Sequence, residues 1–137
     1  MTRNRTFKII LLCFLIGFIF ALLEFILHAN PLVKNLSGIY EPVSRGWDII
    51  IASFIIDIIY GTVLSLFYLI LYKSLPGQGM MKGIIYGILL WFLRITILTL
   101  TQWMVYPVSA GTIIYMIFAG LPEMIIIGAL IERMIKK

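Results

Sequence analysis

Charge is what this chain has least of. Only 12% of its 137 residues are Asp, Glu, Lys or Arg, while 62% are hydrophobic and the mean hydropathy is +1.09. A soluble domain is about half apolar with about a quarter of its residues charged, so too little polar surface exists here to cover a globule in water. Cysteine and histidine are nearly missing as well. The single Cys13 excludes an internal disulfide and a cysteine-based metal knuckle. With His28 as the one histidine there is no HExxH helix, no Ser–His–acid constellation and no second imidazole for acid–base work. An enzyme could then act only through its carboxylates; no catalytic residue is assigned and no cofactor is implied. Basic runs and basic–aromatic patches are also lacking, which argues against nucleic acid as a partner. The apolar stretches run on without strict alternation, which excludes the strands of a membrane barrel.

Long apolar runs are what is there. A helix needs about 20 such residues to cross the hydrocarbon layer. From Ile9 to Val33 the only acidic or basic residues are Glu24 and His28, and from Ile49 to Tyr72 only Asp57. Between Lys82 and Glu132 there are only Arg94 and Glu123, in a stretch long enough for two spans that breaks at "VYPVSAG". There Pro107 removes a backbone donor and Gly111 loosens the chain. The expected fold is therefore all-α, a single integral membrane four-helix domain over 1–137, with helices at about 7–29, 48–73, 80–104 and 111–133. "MTRNRTFK" before "IILLCFLIGFIF" has the charge order of a signal peptide. The apolar run is too long for one, and no small-x-small cleavage site follows. Leu12 is also too bulky before Cys13 for a lipoprotein site, so a retained first helix is expected.

Lys and Arg mark the cytoplasmic side. Arg3, Arg5, Lys8, Lys73, Lys82, Arg133, Lys136 and Lys137 fall at one set of helix ends; Lys34 and Arg45 alone fall at the other. Eight against two places both termini in the cytoplasm and makes two antiparallel helical hairpins. The net charge of +5 is then a topology signal with a weak attraction to anionic lipid. The lipid bilayer is the first partner, and a bacterial or archaeal plasma membrane the expected location. The external connection, "NPLVKNLSGIYEPVSRGWD", carries Tyr40, Trp47 and two prolines and suits an interfacial segment. Either it is a tether, or it is a lid over a site between the helices. Asp48 is placed to cap the second helix. The two hairpins are weakly alike, each with a mid-span acid in its second helix. Alternating topology produces most of that likeness, and an internal repeat stays open.

Each helix carries one stripe of small and polar residues. In the first it is Cys13, Gly17, Ala21, Glu24 and His28; in the second, Ser53, Asp57, Gly61, Ser65, Tyr68 and Tyr72. The third has Gly79, Gly83 and Gly87 in "GMMKGIIYG", continued by Arg94 and Thr101; the fourth has Thr112, Met116, Gly120 and Glu123. Small residues let helix backbones approach, and polar groups in lipid seek one another. The stripes should thus face inward, with the glycines packing within the chain or, alternatively, against a second copy.

At ~1.5 Å per residue, Glu24 lies roughly 9 Å below the external side, Asp57 about 13 Å, Arg94 about 15 Å and Glu123 about 18 Å. A charge at a helix centre costs about 2.5–3.5 kcal/mol on insertion and each Leu, Ile or Phe returns about 0.3–0.6, so each span can carry one. Arg94 is expected to neutralise Asp57 or Glu123. Three acids against one arginine leave two without a permanent counter-ion; these either stay protonated or wait for a proton or cation along a path, unless the cluster is static and only holds the bundle together. Pro122 in "LPEM" frees a backbone carbonyl at Phe118 or its neighbour beside Glu123. Glu24 and His28, one turn apart, form the expected outer mouth of a path to Asp57 and Glu123, and are weak candidates for a shared metal ion.

Two functions follow. One is a small transport protein for protons, cations or a small solute, with Glu24, His28, Asp57, Arg94 and Glu123 along the path; four helices enclose little volume, so a homo-oligomer is expected. The other is an accessory or assembly subunit of a larger membrane complex, its polar cluster purely structural.

Overall fold

A computed structural model describes residues 2–28 and 49–135, with side chains over 6–27 and 49–135. Its regular structure is helical throughout: α1 (Thr2–His28), α2 (Ile50–Leu71), α3 (Met80–Val105) and α4 (Ala110–Ile135). All four helices are long and apolar enough to cross a membrane, α1 through Thr6–Leu27. The chain is thus a small multi-pass membrane protein built as a four-helix bundle. The connection 29–48, with Tyr40, Trp47 and the expected cap Asp48, lies outside the described residues, as does the side chain of His28.

The breaks follow from local chemistry. After α2 the amides of Ser74 and Leu75 fold back onto the Leu71 carbonyl, and Gly77 and Gly79 take positive φ (88° and 51°) to turn the chain into α3. Gly79 therefore works as a turn residue and not in helix packing: open space surrounds it. At the other end of α3, Tyr106 is extended (φ −115°, ψ 147°), the conformation that Pro107 imposes on its predecessor. Ser109 then caps α4, its Oγ accepting the Thr112 amide at 3.1 Å.

Consecutive helices pair closely, α1 on α2 and α3 on α4, and α1 also lies along α4. Glycine makes both close pairings. A methyl on Gly17 would strike the Ile58 carbonyl, and one on Gly61 would meet the Gly17 Cα at 2.8 Å. On the second seam Gly83 faces the Gly128 carbonyl, Gly128 faces Gly83, and Gly87 faces the Met124 carbonyl. Lipid tails are as apolar as leucine, so helices associate through such backbone contact and interhelical hydrogen bonds rather than by fleeing water. Between α2 and α3 large side chains bridge the gap. The Tyr86 hydroxyl donates to the Leu64 carbonyl (2.7 Å), the Tyr68 and Tyr86 rings meet edge-on at 5.0 Å, and Lys82 Nζ donates to the Tyr72 carbonyl (2.7 Å). Ile16, Phe20, Leu64, Leu90, Met124, Ile127 and Ile131 fill the core around them. Ile, Leu and Phe side chains cover the outside.

Most of the inward stripe is buried: Cys13, Gly17, Ala21 and Glu24; Gly61, Ser65 and Tyr68; Gly83 and Gly87; Thr112, Gly120 and Glu123. Asp57 is half-buried, and Ser53 and Thr101 are exposed. Thr101 departs for a definite reason. Residues Trp91–Thr96 form a π-helical stretch, in which the Ile97 amide donates to the Phe92 carbonyl five residues back. The extra residue advances the inward face, so that after Leu90 and Arg94 it is Thr99 that is buried, at a step of five. Thr101 turns outward and satisfies its hydroxyl on the Ile97 carbonyl of its own helix (2.9 Å).

Candidate functional site

Arg94 projects from the π-helical stretch of α3 and reaches both helices of the other pair. Its Nη2 forms a salt bridge with Glu24 Oε1 of α1, and its guanidinium carbon lies 4.8 Å from the ring centres of both Phe20 (α1) and Tyr60 (α2). The two side chains are 23% and 10% exposed, so water screens the pair little. The guanidinium is planar and weakly hydrated, which suits it to stack on rings while bonding a carboxylate. The partner is thus Glu24, and not the expected Asp57 or Glu123. Depth along the helix axes favoured those two, but a long side chain bonds where its tip arrives.

Beside this pair α1, α3 and α4 enclose a half-open cleft of about 320 Å³. Glu24, Arg94 and Glu123 all line it, with Thr99, Gln102 and Tyr115 as further polar groups and Leu27, Ile95, Leu98, Met116 and Ala119 as apolar wall. Gly120 backs it, with the Ile95 side chain filling the space where a Cβ would stand. The Tyr115 hydroxyl donates to the Leu27 carbonyl at 3.4 Å, tying α4 to the end of α1. Of the five residues expected along a path, the structure therefore brings Glu24, Arg94 and Glu123 to one cleft. Asp57 belongs to α2, which contributes nothing to the lining.

Two helix irregularities flank the cleft. Pro122 lies within the unbroken α4, and its missing N–H disturbs the carbonyls one turn back. The Trp91 indole, at the start of the π-helical stretch, donates to the Ile117 carbonyl in that turn (2.8 Å). The proline of one helix and the π turn of its neighbour are thus joined beside Glu123. Thr96 Oγ1 is buried in the same stretch, with no hydrogen-bond partner among the described residues.

A second polar contact went unread in the sequence. The Tyr68 hydroxyl of α2 donates to Glu132 Oε2 of α4 at 2.5 Å, and both residues are buried. In the sequence Glu132 only marked the end of an apolar stretch. The spacing held the signal: Gly120, Met124, Gly128 and Glu132 follow one another at four-residue steps, and all four are buried. As for a metal, no group of three His, Cys, Asp or Glu that could hold one occurs among the described residues, and Glu24, paired with His28 as a candidate ligand, is engaged by Arg94.

The chain matches no protein-family model, no curated protein and no solved structure.

Proposed function

We propose that the protein is a small membrane transport protein for protons, cations or a small solute, working as an oligomer. The observation that carries this reading is the cleft, where carboxylates from α1 and α4 and a guanidinium from α3 surround about 320 Å³ of space. Ionisable residues within membrane spans are costly to insert and commonly mark ion and substrate paths. Four helices enclose too little for a continuous pore, so neighbouring copies would complete the passage. In this reading the eight basic residues at one set of helix ends face the cytoplasm, and the chain forms two antiparallel hairpins. The cleft then opens in the outer half, below His28 at the mouth. In this reading the Tyr68–Glu132 contact, which joins α2 to α4, lies across the inner half of the passage, and transport requires it to break. Asp57 lies off the cleft and would take part only after such a rearrangement.

Reconstitution in liposomes tests the proposal. Glu123→Gln should insert and fold but lose proton, cation or solute flux. A second reading, an accessory subunit with a structural cluster, draws support from the buried Tyr68–Glu132 bond, which joins α2 to α4. It expects each acid substitution to lower folded yield instead. Orientation is tested by reporter fusions at Lys137 and within 35–45; an external C-terminus overturns it and the outer placement of the cleft.

A further inference from the structure

We propose that the C-terminal end of α3, Ile97–Val105, is a wall of the cleft with two positions, set by the winding of Trp91–Thr96. As a π turn these six residues present Thr99 and Gln102 to the cleft. Wound as ordinary α-helix, they would turn everything beyond them by about 100° and present Thr101 and Val105 instead. The inference concerns how the wall moves and not what crosses the membrane, so it goes beyond the transport reading and stands apart from it.

A hydroxyl supplies the drive. Thr62, Ser65 and Thr101 stand on α-helical winding, and each bonds the carbonyl four residues back, at 2.7, 2.9 and 2.9 Å. Thr96 Oγ1, inside the π stretch, is buried with no hydrogen-bond partner among the described residues. Four residues before it, the Phe92 carbonyl takes the Ile97 amide. In α-helical winding that carbonyl would take the Thr96 amide, with the Thr96 hydroxyl beside it. A buried hydroxyl without a partner is costly, so the π turn persists against a local pull towards α-helix.

The side-chain pattern serves both windings. Leu90, Arg94 and Thr101 share one face of a regular helix, at steps of four and seven. The π turn replaces Thr101 with Thr99 on that face. Arg94 stays one turn after Leu90 in either form and keeps its bridge to Glu24. Packing leaves the far end free to turn. Before the π stretch Gly83 and Gly87 lie against the α4 backbone, and Tyr86 and Leu90 are buried. Beyond it Thr99 alone is buried, and the helix stops at Val105 before the extended Tyr106. A joint thus stands at each end of this segment, with little packing between them.

The test is thiol cross-linking of the full chain in liposomes, with Cys13→Ala as background and a short bis-thiosulfonate as reagent. Met116→Cys, on the cleft wall of α4, is paired in turn with Thr99→Cys, Leu100→Cys and Thr101→Cys. Leu100 and Thr101 are both exposed and stand equally far round from the cleft in the π form; only α-helical winding brings Thr101 inward. The 99 pair should link fastest, and the 101 pair more slowly yet well ahead of the 100 pair. Thr96→Val removes the hydroxyl and with it the pull towards α-helix. It should slow the 101 pair about fivefold and leave the 99 pair unchanged. A 101 pair that links no faster than the 100 pair overturns the inference, since fraying would expose both alike. So does a 101 pair that keeps its rate in Thr96→Val. A chain that links as expected but carries no flux of any species upholds the inference and refutes transport.

Discussion

Replacing Arg94 with leucine removes a side chain that joins three helices, and the cost can be worked from its contacts. Breaking a buried ion pair by deleting one partner costs about 3–5 kcal/mol. The lower end applies, because the guanidinium is 23% exposed and the abandoned Glu24 can take up a proton. The rings of Phe20 and Tyr60, each with its centre 4.8 Å from the guanidinium, add about 0.5–1 kcal/mol apiece. Arg94→Leu should therefore destabilise by about 4 kcal/mol. Glu24→Gln leaves the ring contacts and a hydrogen-bonding oxygen in place and should cost less, about 2 kcal/mol. Once Arg94 is gone Glu24→Gln has no ion pair with it left to break, so the double variant should cost about as much as Arg94→Leu alone. The coupling energy is then about 2 kcal/mol. Reversible unfolding in mixed micelles, or steric trapping in bicelles, gives all three values. Simple additivity of the two single costs would refute the pairing, and equal tolerance of both single substitutions would refute the bridging role of Arg94.

Gly128→Ile places a branched side chain against the Gly83 carbonyl and should abolish monodisperse folded protein, while Gly79→Ala, strained only by its backbone (φ 51°, ψ −133°), should cost about 1–3 kcal/mol; size-exclusion profiles and unfolding midpoints separate the two. Tyr68→Phe deprives buried Glu132 of its hydroxyl donor and should destabilise by about 1–3 kcal/mol in the same unfolding assay. Thr96→Val exchanges a buried hydroxyl lacking a partner among the described residues for a methyl of the same shape, and should be neutral or stabilising by about 1 kcal/mol; a clear loss of stability would mean that the hydroxyl is bonded after all.

Periodicity was enough to find much of this arrangement. Cys13, Gly17, Ala21 and Glu24 could be placed on one inward face because α1 keeps a constant turn, and the same holds for Thr112, Gly120 and Glu123 on α4. Where the turn changes, the reading slips: a fixed seven-residue step carried Arg94 to Thr101, whereas the π-helical residues carry it to Thr99. No hydrophobic pattern announces that extra residue. The partner of Arg94 was missed for another reason. Glu24 lies roughly 6 Å nearer the outer side by helical rise, and counting Cα levels ignores how far an arginine reaches along the helix. The buried face of Glu132 was legible in its four-residue spacing from Gly120, Met124 and Gly128, but its partner was not, because Tyr68 stands on another helix. The side chain of His28 and the whole of Asp48, which the sequence reading also used, lie outside the described residues.

The π-helical turn in α3 also gives that helix one place where a residue can be lost without turning its far end. Gly83 and Gly87, before it, fix the helix against α4 through backbone contact that tolerates no rotation; Thr99 and Gln102, after it, face the cleft. Removing one residue from 91–96 would restore the ordinary winding yet leave Thr99 and Gln102 on the cleft wall, because four α-helical residues turn the chain about as far as five π-helical ones. Such a deletion variant should remain folded with the same surface turned to the cleft, measurable as unchanged labelling of cysteines introduced at 99 and 101. A one-residue deletion elsewhere in the helix has no extra residue to remove and would swing everything beyond it by about 100°.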